Sequence, residues 1–259
     1  MIMVIANNGE GNAIHISEKV KISNSDSTEN SYEIVIDDNV FRDCGLGTGF
    51  VIFIGHESKI SLLRNNTFDF TDEIKSCGCI KMKRNANITV KNCTFNKARS
   101  NEYEGTIFYH QKSQTTNLNF FTIDNCFFEN CIGCCICVKI SSNSFETINI
   151  QQTKFMNNKQ ALYIQSNRSV DITSCTFIQS LTMNEKMPMI FVSTEDNEQS
   201  RVSICECKFQ KNDKNYYSIQ IQTKCNFEFI NNYAIKEIQF NNDSIYKIQN
   251  ISENTQNNY

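Results

Sequence analysis

Little in this sequence marks the chain for a particular chemistry. Among its 259 residues there are nine glycines, one proline (Pro188) and no tryptophan. The net charge is −3 and no basic run interrupts the chain, which excludes the electrostatic footprint of a nucleic-acid surface. No stretch approaches the ~18 consecutive apolar residues of a membrane-spanning helix, so no direct membrane insertion is expected. The opening residues, MIMVI, follow no basic region and are too short for a secretory signal. No i, i+3, i+4 apolar stripe runs anywhere, so helices are not expected.

Cysteine breaks this pattern of scarcity. There are 13, an odd count that would leave at least one unpaired in a secreted chain. Their groupings are CGC (Cys77, Cys79), CIGCCIC (Cys131 to Cys137) and CEC (Cys205, Cys207). None repeats the paired C-x2-C blocks of a zinc site, and no histidine lies beside them. Neither a metal nor a cofactor is expected.

What the chain does have is a phrase that recurs. ITVKNCTFNK, from Ile88, is echoed by VDITSCTFIQS, from Val170. Aligned on phenylalanine, the template is apolar, any, apolar, any, any, small polar, any, Phe. It is met at Phe41, Phe68, Phe95, Phe128, Phe155, Phe177 and Phe209, in steps of 27, 27, 33, 27, 22 and 32 residues. A fading copy ends at Ala234. Between copies lies a second phrase, small residue, apolar, any, apolar, as in Cys79-Ile80-Lys81-Met82 and Ala161-Leu162-Tyr163-Ile164. Each unit therefore holds two short runs of period two, which is the period of strands.

One strand pair cannot bury its own inward face, so successive units must stack. The expected fold is all-β: a right-handed parallel β-helix solenoid of about eight rungs in a single domain. A leucine-rich repeat competes on period. It is disfavoured because leucine is rare at the repeat positions and no helical segment separates the strands. The expected limits are an N-terminal cap over 1–13, the solenoid over 14–245 and a polar tail over 246–259. The polar insertions Ser17 to Glu33, Gln111 to Asn119, Ser141 to Thr147 and Ser193 to Arg201 should leave from one corner.

The second phrase resembles the GGAI motif of polymorphic outer-membrane-protein repeats, kept partially as GCI, GTI, GCCI and QAL. The first resembles that family's FxxN motif: FMNN (Phe155 to Asn158) fits outright, and FENC carries the asparagine one residue earlier. The resemblance spans most of the chain. It implies a cell-surface or secreted β-helix acting in adhesion or as an antigen.

Stacking turns repeat positions into columns. The column two residues before phenylalanine reads Asn39, Asn66, Cys93, Cys126, Thr153, Cys175, Cys207, Asn232. Rung spacing permits disulfides at Cys93–Cys126 and Cys175–Cys207. The preferred reading is a ladder of small buried side chains with free thiols, in which cysteine acts as a small hydrophobe. Cys77 and Cys134 or Cys137 are expected to be more accessible.

The fold also hosts pectate lyases and polygalacturonases, so a carbohydrate-active enzyme is the alternative function. Its candidate groups would be Asp37, Asp38, His56 and Glu57 in one rung, or Asp69, Asp72 and Glu73. Neither set has the paired, spaced carboxylates of glycoside hydrolysis. His15, His56 and His110 fall on different rungs and cannot share an ion.

The remaining candidate is a surface. Outward positions of the second strand read His15, Phe53, Lys81, Phe108, Cys137, Tyr163, Phe191 and Gln220. Contiguous exposed aromatics mark a contact surface. The expected function is non-catalytic binding or adhesion, with Phe53, Phe108, Tyr163 and Phe191 as the partner-binding stripe. The partner would be a protein or a glycan, and self-association through this stripe or the rod ends is the further possibility.

Overall fold

The computed structural model describes residues 14–16, 33–44, 49–54, 60–71, 78–83, 87–100, 104–111, 120–140, 147–166, 168–179, 188–194, 201–211, 217–222, 226–234, 238–241, 246–249 and 252–253. Every regular element in them is a strand, and the strands pair in parallel into three nine-stranded sheets, here A, B and C. The chain visits A, B and C in turn and repeats, which makes it a parallel β-helix.

One rung shows how sequence becomes coil. Ile107–Gln111 lies in sheet A, Phe121–Asp124 in B and Phe127–Glu129 in C. The next rung follows with Cys134–Ile140, Thr147–Gln151 and Lys154–Met156. Like positions meet in register: Ile107 pairs with Ile136, Phe121 with Ile148 and Phe128 with Phe155.

The structure departs from the expected two strands per unit by splitting the first phrase. Between its two apolar positions and its phenylalanine the backbone turns a corner, so phenylalanine belongs to a third, short strand. The pivot is a residue with positive φ: Asp38, Asn65, Asn92, Asn125, Gln152, Ser174, Glu206 and Asn231 form one column, at φ 49–57°. Asn and Asp tolerate this left-handed region better than other non-glycine residues, which explains how a glycine-poor chain turns so often. A second corner follows phenylalanine by two residues, at Asp43, Lys97, Asn130 and Asn157.

The core is the inside of the coil. Phe41, Phe68, Phe95, Phe128, Phe155, Phe177 and Phe209 stack in one column, with successive ring centroids 4.5–5.2 Å apart. Aliphatic columns from sheets A and B close around them, including Ile80, Ile107, Ile136 and Leu162.

Among the described residues the solenoid shows nine rungs, close to the expected eight or so. The last is Ile238–Asn241, Tyr246–Gln249 and Ser252–Glu253, so strands continue into the segment read as a polar tail. Residues 1–13 lie outside the described residues. But for their ends, the four expected insertions lie outside the described residues; each is flanked by a sheet A strand and the following sheet B strand.

Candidate functional site

The aromatic stripe forms by the alternation of sheet A. Because successive side chains point to opposite faces, Ile80 and Met82 enter the core while Lys81 between them faces out. In-register pairing then links His15 to Phe53, Phe53 to Lys81, Lys81 to Phe108, Phe108 to Cys137, Cys137 to Tyr163, Tyr163 to Phe191 and Phe191 to Gln220. All eight expected positions share one column.

Their exposure differs from expectation. Phe108 and Cys137 are buried, and Phe53, Tyr163 and Phe191 are half-buried. Phe50, Phe108, Cys134 and Cys137 make a second hydrophobic cluster outside the coil, with Tyr163 packed against it. Two features produce this. The Glu104-Gly105-Thr106 approach to sheet A lies against Cys137: a Cβ on Gly105 would fall 2.8 Å from the Cys137 nitrogen. Lysine side chains also lie over the rings, with Lys81 Nζ 5.0 Å from the Phe50 centroid and 5.5 Å from that of Phe108. Lys139 Nζ is likewise 5.8 Å from Phe108 and 5.6 Å from Tyr163.

The column is thus a stack of rings and ammonium groups. Tyr163 and Phe191 stack directly, with centroids 4.8 Å apart and planes 14° from parallel. Glu104 Oε1 holds Lys81 Nζ at 2.7 Å, which fixes the first cation. Burial pushes the Tyr163 hydroxyl up, so the stack keeps a neutral phenol. Phe50, absent from the expected stripe, belongs to it because Gly78 on the next rung leaves room: a Cβ there would fall 2.1 Å from the Phe50 ring. The signal was available in the pairing of an aromatic with a glycine one rung on.

Four of the cysteines occupy one inner corner. Cys93, Cys126, Cys175 and Cys207 are all buried, and each Sγ donates to carbonyls of its own turn and the preceding rung: Cys207 Sγ reaches Cys205 O at 3.3 Å and Ile172 O at 3.6 Å. Asparagine makes the same link better, since Asn232 Oδ1 accepts the Cys207 N–H at 2.8 Å and its Nδ2 donates to Ile204 O at 2.7 Å. Eleven described cysteines, Cys44 to Cys207, are free thiols. Burial raises the Cys126, Cys134, Cys135 and Cys207 thiols well above the ordinary value, and raises Cys137 to about 12. In the Cys93–Cys126 pair, the hydrogen bond from Cys126 lowers Cys93. Cys134 and Cys137 are not accessible as expected, because the cluster above covers them; Cys44 and Cys205 are the half-buried ones. Cys77 lies outside the described residues.

The carboxylates of the alternative function are engaged between rungs. Asp37 accepts Arg64 Nε at 2.6 Å and Asn65 Nδ2 at 3.2 Å, while Asp69 accepts Asn96 Nδ2 at 2.9 Å. Asp124 pairs with Lys91 at 2.9 Å and Asp171 with Arg201 at 3.0 Å. His56, Glu57, Asp72 and Glu73 lie outside the described residues, and His110 packs its ring 5.9 Å from Phe108. Among the described residues, no three His, Cys, Asp or Glu side chains converge as metal ligands do.

Compared with family models, with curated proteins and with solved structures, the chain matches none.

Proposed function

We propose that this chain is a non-catalytic binding protein of the adhesion type, which presents the outer face of sheet A to a protein partner. The observation that carries the reading is the unbroken column from Phe53 to Phe191, in which four aromatic residues recur in register. An outer-face column with aromatic residues at four of its six positions is more than the scattered apolar residues any surface carries. The partner class follows from ring orientation. A sugar stacks on an open aromatic face, whereas here ring faces turn toward neighbouring rings and ammonium groups along the rod. Half-buried Phe53, Tyr163 and Phe191 beside lysine ammonium groups suit the mixed apolar and polar surface of a protein. The resemblance to the GGAI and FxxN repeats fits a cell-surface or secreted setting for such a rod.

The test uses fluorescently labelled protein on cultured cells, untreated, trypsin-treated or treated with mixed glycosidases. The variant is Phe53→Ser, Tyr163→Ser and Phe191→Ser together, which leaves buried Phe108 in place. Saturable binding that trypsin removes, and that the variant loses by about tenfold with its circular dichroism unchanged, supports the reading. Binding equal to that of the unaltered protein moves the surface elsewhere. Loss of the β-sheet signal makes the column part of the core, and sensitivity to glycosidases alone makes the partner a glycan.

A further inference from the structure

Beyond the sheet A face, the corner between sheets B and C carries a groove of about 510 Å³, lined by Asn92, Thr94, Asn125, Phe127, Gln152 and Lys154 together with Cys93 and Cys126. Its size falls within the range of ligand sites, about 300–1,000 Å³. It crosses three successive rungs, because Thr94, Phe127 and Lys154 are register partners in sheet C. We infer that this groove binds an acidic oligosaccharide laid across the rungs.

The lining is chemically specific. Three carboxamides, one hydroxyl, one aromatic ring and one ammonium face it, and no carboxylate does. The amides are already oriented by one another. Asn125 Nδ2 donates to Asn92 Oδ1 at 2.9 Å, Asn92 Nδ2 to Asn65 Oδ1 at 3.2 Å, and Asn65 Nδ2 to Asp37 Oδ1 at 3.2 Å. This chain of amides stops at Asn125. Among the described residues, neither its Oδ1 nor the Gln152 carboxamide one rung on has a hydrogen-bond partner. A fixed acceptor and an uncommitted amide side by side suit a ligand dense in hydroxyls.

Lys154 Nζ stands 5.2 Å from the centre of the Phe127 ring, which puts a cation and an apolar plate on one wall. That pairing matches a uronate, with a carboxylate for the ammonium and a C–H face for the ring. The Lys154 ammonium covers one face of Phe127, and its neighbour on the other side of the column is Thr94, not a ring, so one face is free of the aromatic stacking that joins Tyr163 and Phe191. An extended peptide fits worse. It would need a backbone edge, and the N–H groups of Asn92, Thr94, Asn125, Phe127, Gln152 and Lys154 all donate to carbonyls one rung away at 2.9–3.1 Å. Only side chains remain to read a ligand.

The experiment is calorimetric titration of the whole chain with three probes: a hyaluronan octasaccharide, chitohexaose as its neutral counterpart, and deca-glutamate as an acidic peptide. The octasaccharide should bind saturably and at least about tenfold more tightly than either other probe. Lys154→Glu should lower its affinity by about tenfold or more, and Gln152→Ala by about threefold. The triple sheet A variant should leave it unchanged, which separates this site from the proposed protein-binding face. Absence of octasaccharide binding, equal binding of deca-glutamate or chitohexaose, or affinity indifferent to Lys154→Glu in a variant of unchanged circular dichroism would each overturn the inference.

Discussion

Asn158 completes the rung that holds Cys131. Its Oδ1 accepts the Cys131 backbone N–H at 2.8 Å and its Nδ2 donates to Phe128 O at 2.9 Å, both one rung back. Asn66 does the same at the other inner corner, accepting the Asn39 N–H at 3.1 Å and donating to Ile36 O at 2.8 Å. Two corners of the coil therefore use one solution, an inward carboxamide behind a residue of positive φ.

Replacing Asn158 by alanine leaves the Cys131 N–H and the Phe128 carbonyl buried without these partners. The expected cost is about 2–4 kcal/mol in urea denaturation, since each orphaned buried group costs about 1–3 kcal/mol. Asn158→Cys should cost less than Asn158→Ala, because sulfur keeps the donor role in the equivalent column, where Cys126 Sγ reaches Val90 O and Cys207 Sγ reaches Ile172 O on the preceding rung. Equal losses for the two variants would show that sulfur does not substitute for the amide.

The phenylalanine column predicts a gradient in cost. Phe128 is fully buried, with rings 4.5 Å and 5.2 Å away on its two sides. Phe128→Ala should destabilise by about 3–5 kcal/mol. Phe41, stacked on Phe68 and slightly exposed, should lose less on the same change. Denaturation midpoints for the two variants, compared at constant slope, check the order.

At the outer corner the residue types differ in their fitness for positive φ. Gln152 and Glu206 hold φ of 51° and 57°, where a glycine carries no steric penalty. Glu206→Gly should stabilise the fold by up to about 1 kcal/mol, the relief of strain outweighing the added freedom of the unfolded chain. Asn125→Val, which puts a β-branched residue at φ 49°, should destabilise it by more than that. Thermal melts of both variants are sufficient.

The buried thiols set an alkaline limit. Burial raises Cys137 from an ordinary 9.0 to about 12, so the folded state keeps a proton that the unfolded chain has released. The stability this thiol contributes is complete below pH 9 and is lost as pH rises through 12. Urea midpoints should fall between pH 8.5 and 11, and Cys137→Val should flatten that fall. A midpoint independent of pH in the unaltered protein would contradict the assignment of these thiols as buried.

The coil was legible in the sequence because its core is periodic. Phe95, Phe128 and Phe155 must coincide once their rungs stack, and the rings do meet. The corner inside the first phrase was not legible. The pivot column mixes Asp38, Asn65, Gln152, Ser174 and Glu206, so composition carries no single signal for a backbone conformation they share. The stripe was legible as a column but not in its exposure. Nothing in the alternation of Phe108 and Cys137 reveals that Gly105 will lie against Cys137, or that Lys81 and Lys139 will lie over Phe108.

The amide corners also give the rod a direction. Asn66 serves residues of the rung before it, as do Asn158 and Asn232, so the debt always runs forward along the chain. A rung just formed at the advancing end has an unanswered N–H at its corner until the next turn arrives. Chain growth from the N-terminus therefore extends the coil by closing each turn with its successor. The rod carries a growing end and a finished end, as a polymer filament does, although it is a single molecule.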